Sequence, residues 1–372
     1  SMTFDMGNTD KLGIFRQELK SLDIEVLPPD INKSGPDFRV ERIEGSGSLV
    51  IRYALSAIKN VGGPGMEALE NERLEKGPFR DLSDFISRVD AKVVNKRSME
   101  NLVRSGAFDS IHNNRAELFE GLDIIMRHVN AAIDEGKKDQ HNLFSGEETT
   151  RINQVKLTSL EEWPVLKKLR NEFEAIGFYL TAHPLDAYGE ALIKNGVISS
   201  STLAYELNKK GGMARMDVAG IVSSSRIRVN QRGNKYAFVQ MSDQGGIFEV
   251  TVFSEVLSSA GEALIPGEAL LIRCDCKLEN DFVRLVANKI SSLDCSLKNS
   301  IRGFKIYIND QNTVTNLAKI LERQEAGSGE INLVVQNTNQ EFDLLLPEHY
   351  ELNASLRSAV KSLPGVIEVQ DF

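Results

Sequence analysis

The sequence has 372 residues, 41% hydrophobic and 26% charged, with 28 Gly and 10 Pro. That composition excludes disordered and collagen-like chains, and the length suits two or three domains. The formal net charge is −9, from 44 basic and 53 acidic residues, so the surface as a whole is not that of a nucleic-acid binder. No apolar stretch reaches the ~18–20 residues of a membrane-spanning helix, and no basic segment with an apolar core opens the chain. A soluble protein without a secretory signal is expected. Ser1-Met2 reads as a cloning remnant, and the segment after it begins abruptly, as a fragment would.

Residues 1–40 predict one amphipathic helix (TDKLGIFRQELKSL) and an extended exit, because Pro28-Pro29 cannot continue a helix. Residues 41–50 (ERIEGSGSLV) read as a short hairpin with Gly and Ser at the turn. From Ala54 to about Asn130, short helices alternate with Gly-bearing turns: LSAIK, NVGGPG, MEALENERLE, then VNKRSMENLVRS, GAFDS and a helix from Asn114. Residues 131–150 are polar and charged and read as an exposed linker. A second helical stretch, LTSLEEWPVLKKLRNEFEAIG, follows it.

From Arg215 the period changes from helical to alternating. MDVAGIVSSSRIRV, KYAFVQMSD, GGIFEVTVF, EALLIRCDCKLE and DFVRLVANKISSL are five strand candidates, with a helix-like SEVLSSAGEAL between the third and fourth. That is the order of a Greek-key oligonucleotide- or oligosaccharide-binding (OB) barrel. The last 70 residues or so read strand, helix, strand, strand, helix, strand, a βαββαβ order expected to form a split βαβ arrangement. The fold class is therefore multidomain α+β.

Catalytic motifs are missing: the sequence has no Walker loop, no G-x-S-x-G and no H-E-x-x-H. Cys274, Cys276 and Cys295 lack the partners of a metal site, and the five histidines are scattered, so reduced thiols and no metal are expected. Binding candidates are clearer. Between Lys209 and Lys235 there are seven basic residues and one acid, a local excess of +6 in an acidic chain. Period-2 alternation puts Tyr236, Phe238 and Gln240 on one face and Ala237, Val239 and Met241 on the other, which is the better barrel interior. Aromatics outside, beside Arg226, Arg228, Arg232 and Lys235, suit the stacking of single-stranded bases.

The NVGGPG turn, with Lys59, Gly62 and Gly63, exposes backbone N–H groups at a helix start, where they can donate to duplex phosphates. Asn95, Lys96, Arg97, Arg104 and the turn at Gly106 form a second copy. An ordinary glycine-capped helix turn is the competing reading. In the polar linker, Gln140, Leu143 and Phe144 present two adjacent apolar side chains that gain by entering a partner's pocket, or by docking back on their own domain.

VLPPDIN, IRYALSAIKNVG, GPFRDLSDFISRVD, VNKRSMENLVRSGAFD, GFYLTAHPLDAY and RGNKYAFVQMSDQGGIFEVTVF, in this order, resemble the C-terminal portion of bacterial C-family replicative polymerase alpha subunits over nearly the whole chain. The resemblance implies a lead-in at 1–50 ending the fingers region and tandem helix-hairpin-helix elements on duplex DNA at 51–130. It implies a clamp-binding linker and helices at 131–210, an OB-fold on single-stranded template at 211–296, and a clamp-loader tau-binding domain at 297–372. It further implies that Gln140, Leu143 and Phe144 dock the sliding clamp. The family's first hairpin reads V-G-x-G, and Val61-Gly62-Gly63-Pro64 departs from it at the second glycine. The family's catalytic aspartates lie upstream of this stretch. The whole polymerase is thus expected to be a Mg²⁺-dependent nucleotidyltransferase in the bacterial cytoplasm, and this part inactive alone, monomeric and without a cofactor. The alternatives are the error-prone paralogue, which typically lacks the clamp motif and terminal domain, and a free-standing OB-fold nucleic-acid-binding protein.

Overall fold

The computed structural model describes residues 1–43, 45, 47–90, 94–139, 155–279, 282–297, 302–337 and 340–372, with the backbone alone at 132–139, 262, 311–312, 336–337 and 340–341. The chain forms two compact units, Ser1–Ala182 and His183–Phe372.

The first unit opens with α1 (Thr9–Ser21), capped by the Asn8 side chain. Strands β1 (Val26–Leu27), β2 (Arg39–Arg42) and β3 (Leu49–Arg52) form a small sheet in the order β1-β3-β2, and β2–β3 is the expected hairpin. Helices α2 (Gly63–Lys76), α3 (Leu82–Arg88), α4 (Lys96–Arg104), α5 (Arg115–Glu120), α6 (Leu122–Asp139) and α7 (Val165–Ile176) follow. One apolar core joins them, from Leu12 and Tyr53 through Met66, Phe85, Met99 and Phe108 to Ile176. Its centre is an edge-to-face chain, Phe79–Phe85–Phe108, with ring centroids 5.1 and 5.0 Å apart.

Two expectations fail here. Residues 131–139, expected as linker, are helical, because α6 continues to Asp139; Ala131, Ala132 and the Glu and Lys residues after them are good helix formers. The helix expected from Leu157 starts only at Val165, because Pro164 keeps the residue before it out of helical geometry.

In the second unit, α8 (Ala191–Lys194) and α9 (Leu203–Lys209) lead to β4 (Met213–Val229), β5 (Lys235–Asp243), β6 (Gly246–Val252), α10 (Ser254–Ala260), β7 (Ala269–Glu279), β8 (Phe282–Ser292) and α11 (Leu293–Leu297). The five strands close a barrel in the order β4-β5-β6-β8-β7. β4 is long because it serves two neighbours. Met213–Ile221 pairs with β7 and Ile221–Val229 with β5, and a bulge between Val222 and Ser224 turns the strand from one to the other. Gly220 permits the crowding at that bend, since a Cβ there would come 3.0 Å from the Phe248 ring. Val218, Val222, Ala237, Val239, Met241, Val250, Val252, Ile272 and Cys274 fill the interior, and Leu257 of α10 packs onto it.

The remaining elements are β9 (Gly303–Ile308), α12 (Gln311–Leu321), β10 (Ala326–Asn337), β11 (Gln340–Leu345), α13 (Ala354–Lys361) and β12 (Val366–Asp371). The βαββαβ order is as expected, but the split arrangement is not. The sheet order is β11-β10-β9-β12, and β9 and β10 pair directly in parallel, so no strand separates the two joined by α12.

Candidate nucleic-acid interface

The β4–β5 hairpin carries the site. Its register sets Arg226 opposite Phe238 and Arg228 opposite Tyr236. Cross-strand partners share a face, so these four side chains lie together on the barrel's outside, while Ala237 and Val239, both at 0% exposure, point in. The next pairing extends the grid: Phe238 faces Thr251 and Gln240 faces Glu249 on β6. At one end Ser224 donates to Gln240 Oε1 at 3.3 Å. At the other, the Tyr236 ring meets Phe238 edge-on at 5.4 Å and Phe253 at 6.5 Å.

Phe253 was not among the sequence candidates. It follows β6 directly, is 47% exposed, and extends the two rings to three. The signal was present, since alternation carried through GGIFEVTVF puts Thr251 and Phe253 on the outer face.

Arg226, Arg228, Arg232 and Lys235 are exposed and, among the described residues, form no ion pair. The tip joining them is ordered by Asn230, whose side chain accepts from the Arg232 and Asn234 backbone N–H groups at 2.9 Å each. Two other bases of the run are held by carboxylates away from the hairpin. Lys209 pairs with Glu206 at 3.4 Å and Arg215 with Asp275 at 3.0 Å. The acid in the run, Asp217, pairs with Arg273, whose hydrogen bond holds its carboxyl below the usual range.

In the first unit two helix starts meet. Ser98 of α4 donates through its hydroxyl to the Asn60 carbonyl at 3.0 Å, which brings the Gly62–Gly63 start of α2 beside the Asn95–Lys96–Arg97 start of α4. Gly62 is exposed, and a Cβ added there would meet open space. α2 has no side-chain cap, whereas Asn95 caps α4 by accepting from Ser98 N at 2.9 Å. Arg97 is exposed and, among the described residues, unpaired. Lys96 pairs with Asp123 at 2.6 Å. Lys59 is half-buried, donates to the Glu174 carbonyl at 3.2 Å, and has its pKa lowered by burial. Arg104 pairs with Glu174 at 3.1 Å and lies over the Phe119 ring.

Gly106 is a correction. Its turn is buried, with Ser105 and Ala107 at 0% and Phe108 at 1% exposure. Gly106 N–H donates to Val103 and Ala107 N–H to Leu102, at 3.0 Å each, while Gly106 takes φ +80°. These bonds cap the end of α4 and leave nothing to offer a phosphate. The helix-cap reading holds at this position.

Gln140, Leu143 and Phe144 lie outside the described residues. Among the described residues no three His, Cys, Asp or Glu side chains converge as a metal site requires, and no helix is long and apolar enough to cross a membrane. The three cysteines are free thiols, and burial pushes Cys276 up to about 11.

Comparison with known proteins matches residues 23–118 to the helix-hairpin-helix motif family and 216–293 to the OB-fold nucleic acid binding domain family. Along its whole length the chain is 36% identical to the DNA polymerase III subunit alpha of Caulobacter vibrioides, covering 32% of that protein. The chain belongs to the DNA polymerase III alpha-subunit family. It is 31% identical to the Vibrio cholerae subunit over 99% of this chain and 32% of that one, and it aligns to the C-terminal part of these relatives. It therefore spans about a third of the length of the curated relatives it matches. A solved mitochondrial single-stranded DNA binding protein from S. cerevisiae is 18% identical over 22% of this chain and 94% of that one, with a TM-score of 0.20.

Proposed function

We propose that this chain is the DNA- and partner-binding part of a replicative alpha subunit, its barrel holding single-stranded template and its hairpin helices holding duplex. The observation that carries this reading is the outer face of a closed five-stranded barrel, where Arg226 and Arg228 stand opposite partly exposed aromatic rings and Arg232 and Lys235 flank them at the hairpin tip, all four unpaired among the described residues. Cations attract the phosphates without regard to sequence, and each ring offers a flat apolar surface to a base. The paired starts of α2 and α4 offer backbone N–H groups and Arg97 to a duplex backbone. Under the same reading Gln140, Leu143 and Phe144 dock the sliding clamp and residues 297–372 take the clamp-loader tau subunit. The stretch works in the bacterial cytoplasm and does not polymerise alone, since the family's Mg²⁺-binding aspartates lie in another part of the polymerase. Tethering to the clamp raises the effective concentration of a weak DNA-binding head.

A fluorescence-anisotropy titration against a single-stranded oligonucleotide tests the barrel reading. With four phosphates neutralised, log K falls against log salt with a slope near −3. Removing Arg226, Arg228 and Arg232 together weakens binding and flattens that slope. Binding that ignores salt, or survives the triple substitution, refutes it.

A further inference from the structure

The hairpin tip has a second face. Alternation that sends Arg226 and Arg228 to the front sends Ile227 and Val229 to the back, where each is 60% exposed. Ile227 lies opposite Ala237, the first fully enclosed interior position of β5, and Val229 opposite Lys235, so the pair stands just beyond the barrel's mouth. Two branched apolar side chains there gain nothing from water. Their surroundings narrow the choice of occupant. Lys235, opposite Val229, shares their face and Arg232 lies in the connecting turn, while Arg226 and Arg228 alternate onto the front, and among the described residues none of the four has a carboxylate partner. The tip is thus built for a polyanion, and the only extended apolar surface a nucleic acid offers is the flat face of a base. A continuous duplex hides those faces within its stack and presents one only where the stack ends.

We propose that Ile227 and Val229 form a wedge against the terminal base pair at a junction of single- and double-stranded DNA, while the front of the same hairpin holds the departing single strand. The ligand is a duplex with a single-stranded overhang rather than either component alone. Apolar side chains serve elsewhere as wedges against base steps, and here the ordered Asn230 turn keeps the two faces in fixed relation. This inference rests on the single-strand reading of the front face.

The test uses the whole chain and three labelled probes: a duplex with a 5′ overhang, a single strand of equal length, and a blunt duplex. The unaltered protein is expected to bind the overhang probe about 10-fold more tightly than the single strand, a difference of about 1.4 kcal/mol. Ile227→Ser with Val229→Ser removes that preference and leaves single-strand affinity and its salt slope unchanged. Ile227→Val with Val229→Ile retains it, which separates loss of the apolar surface from loss of the fold. No junction preference in the unaltered protein, or a preference that survives the serine pair, overturns the wedge and leaves the front-face reading intact. If Arg226→Ala with Arg228→Ala leaves every probe bound as before, the front-face reading falls, and the wedge with it.

Discussion

Tyr236, Phe238 and Phe253 keep their rings partly in water although a packed interior lies one residue away on each strand. Reversing the pleat would expose Ala237, Val239 and Val252, so the barrel holds the rings outside as a consequence of filling itself. Tyr236 meets Phe238 edge-on and Phe253 at a tilt, so under the proposed single-strand reading the rings lose little freedom when a base stacks on them. Phe238→Ala and Phe253→Ala are each expected to weaken single-strand binding about 5- to 150-fold, the ~1–3 kcal/mol of one stacked base. Neither removes a charge, so the salt slope should stay as it was. Anisotropy titrations at several salt concentrations decide the matter. A slope that flattens along with the affinity would show that the rings act by holding the arginines. Phe238 was legible as an outward aromatic because a nine-residue strand shows its alternation plainly. Phe253 obeys the same parity at the end of GGIFEVTVF, but that run carries none of the basic residues that mark the β4–β5 hairpin as a binding face.

At the scale of elements, two glycines that look alike in sequence stand in opposite surroundings. Gly62 precedes α2 with φ −85° and open space where a Cβ would go. Gly106 follows α4 in the left-handed region, and a Cβ there would collide with the Arg115 guanidinium, itself fixed on Asp109 by bonds of 2.9 and 2.6 Å. Gly106→Ala therefore combines left-handed strain with displacement of the buried Arg115 side chain from Asp109, for a loss of about 2 kcal/mol or more. Gly62→Ala should change stability by no more than about 1 kcal/mol while weakening duplex binding, because its methyl stands between the N–H groups of α2 and an approaching phosphate. Urea unfolding with a duplex-binding titration on both variants separates the roles, and a stable Gly106→Ala protein with impaired duplex binding would reverse them. Sequence shows a glycine beside basic residues in both cases. What it does not show is which turn the neighbouring helices bury, because Arg115 reaches Gly106 only once α5 has packed.

Across the whole molecule the same limit recurs. Element order was readable throughout the barrel, since its strands alternate over much of their length and turn residues separate several of them, and the closed order of its strands agrees with the expected Greek key. In the last domain the order was readable but not the neighbours, because βαβ with and without an inserted strand have the same linear pattern. Charge also needs the fold: once Lys209 and Arg215 find carboxylates, five of the seven bases in the run have no ion pair among the described residues, and four of them stand on the β4–β5 hairpin. Carboxylate pairing governs acid stability too, and in Ser1–Ala182 it acts in two directions. Glu41 is held below the usual range by its hydrogen bond from Arg52. Burial alone would raise Glu72 and Asp84, but hydrogen bonds from Lys76 and Arg88, and from Arg80 and Arg88, outweigh it and hold both low. Unfolded carboxylates titrate near 4. Below that the unfolded chain takes up protons the folded one refuses, so the stabilisation from these three groups is present at neutral pH and is lost as pH falls through their depressed values. Glu172 has the opposite sign. Burial raises its pKa despite bonds of 2.7, 3.0 and 2.8 Å from Leu180 N, Thr181 N and the Thr181 hydroxyl. The folded state there keeps a proton the unfolded chain has shed, and stability declines as pH rises from about 4 through the raised value. Glu172→Gln should abolish that decline and leave the acid limb untouched. Trp163, the single tryptophan, is 8% exposed within this unit, so its fluorescence during urea unfolding from pH 3 to 8 follows Ser1–Ala182. A decline above pH 4 that persists in Glu172→Gln would mean another buried group carries the proton.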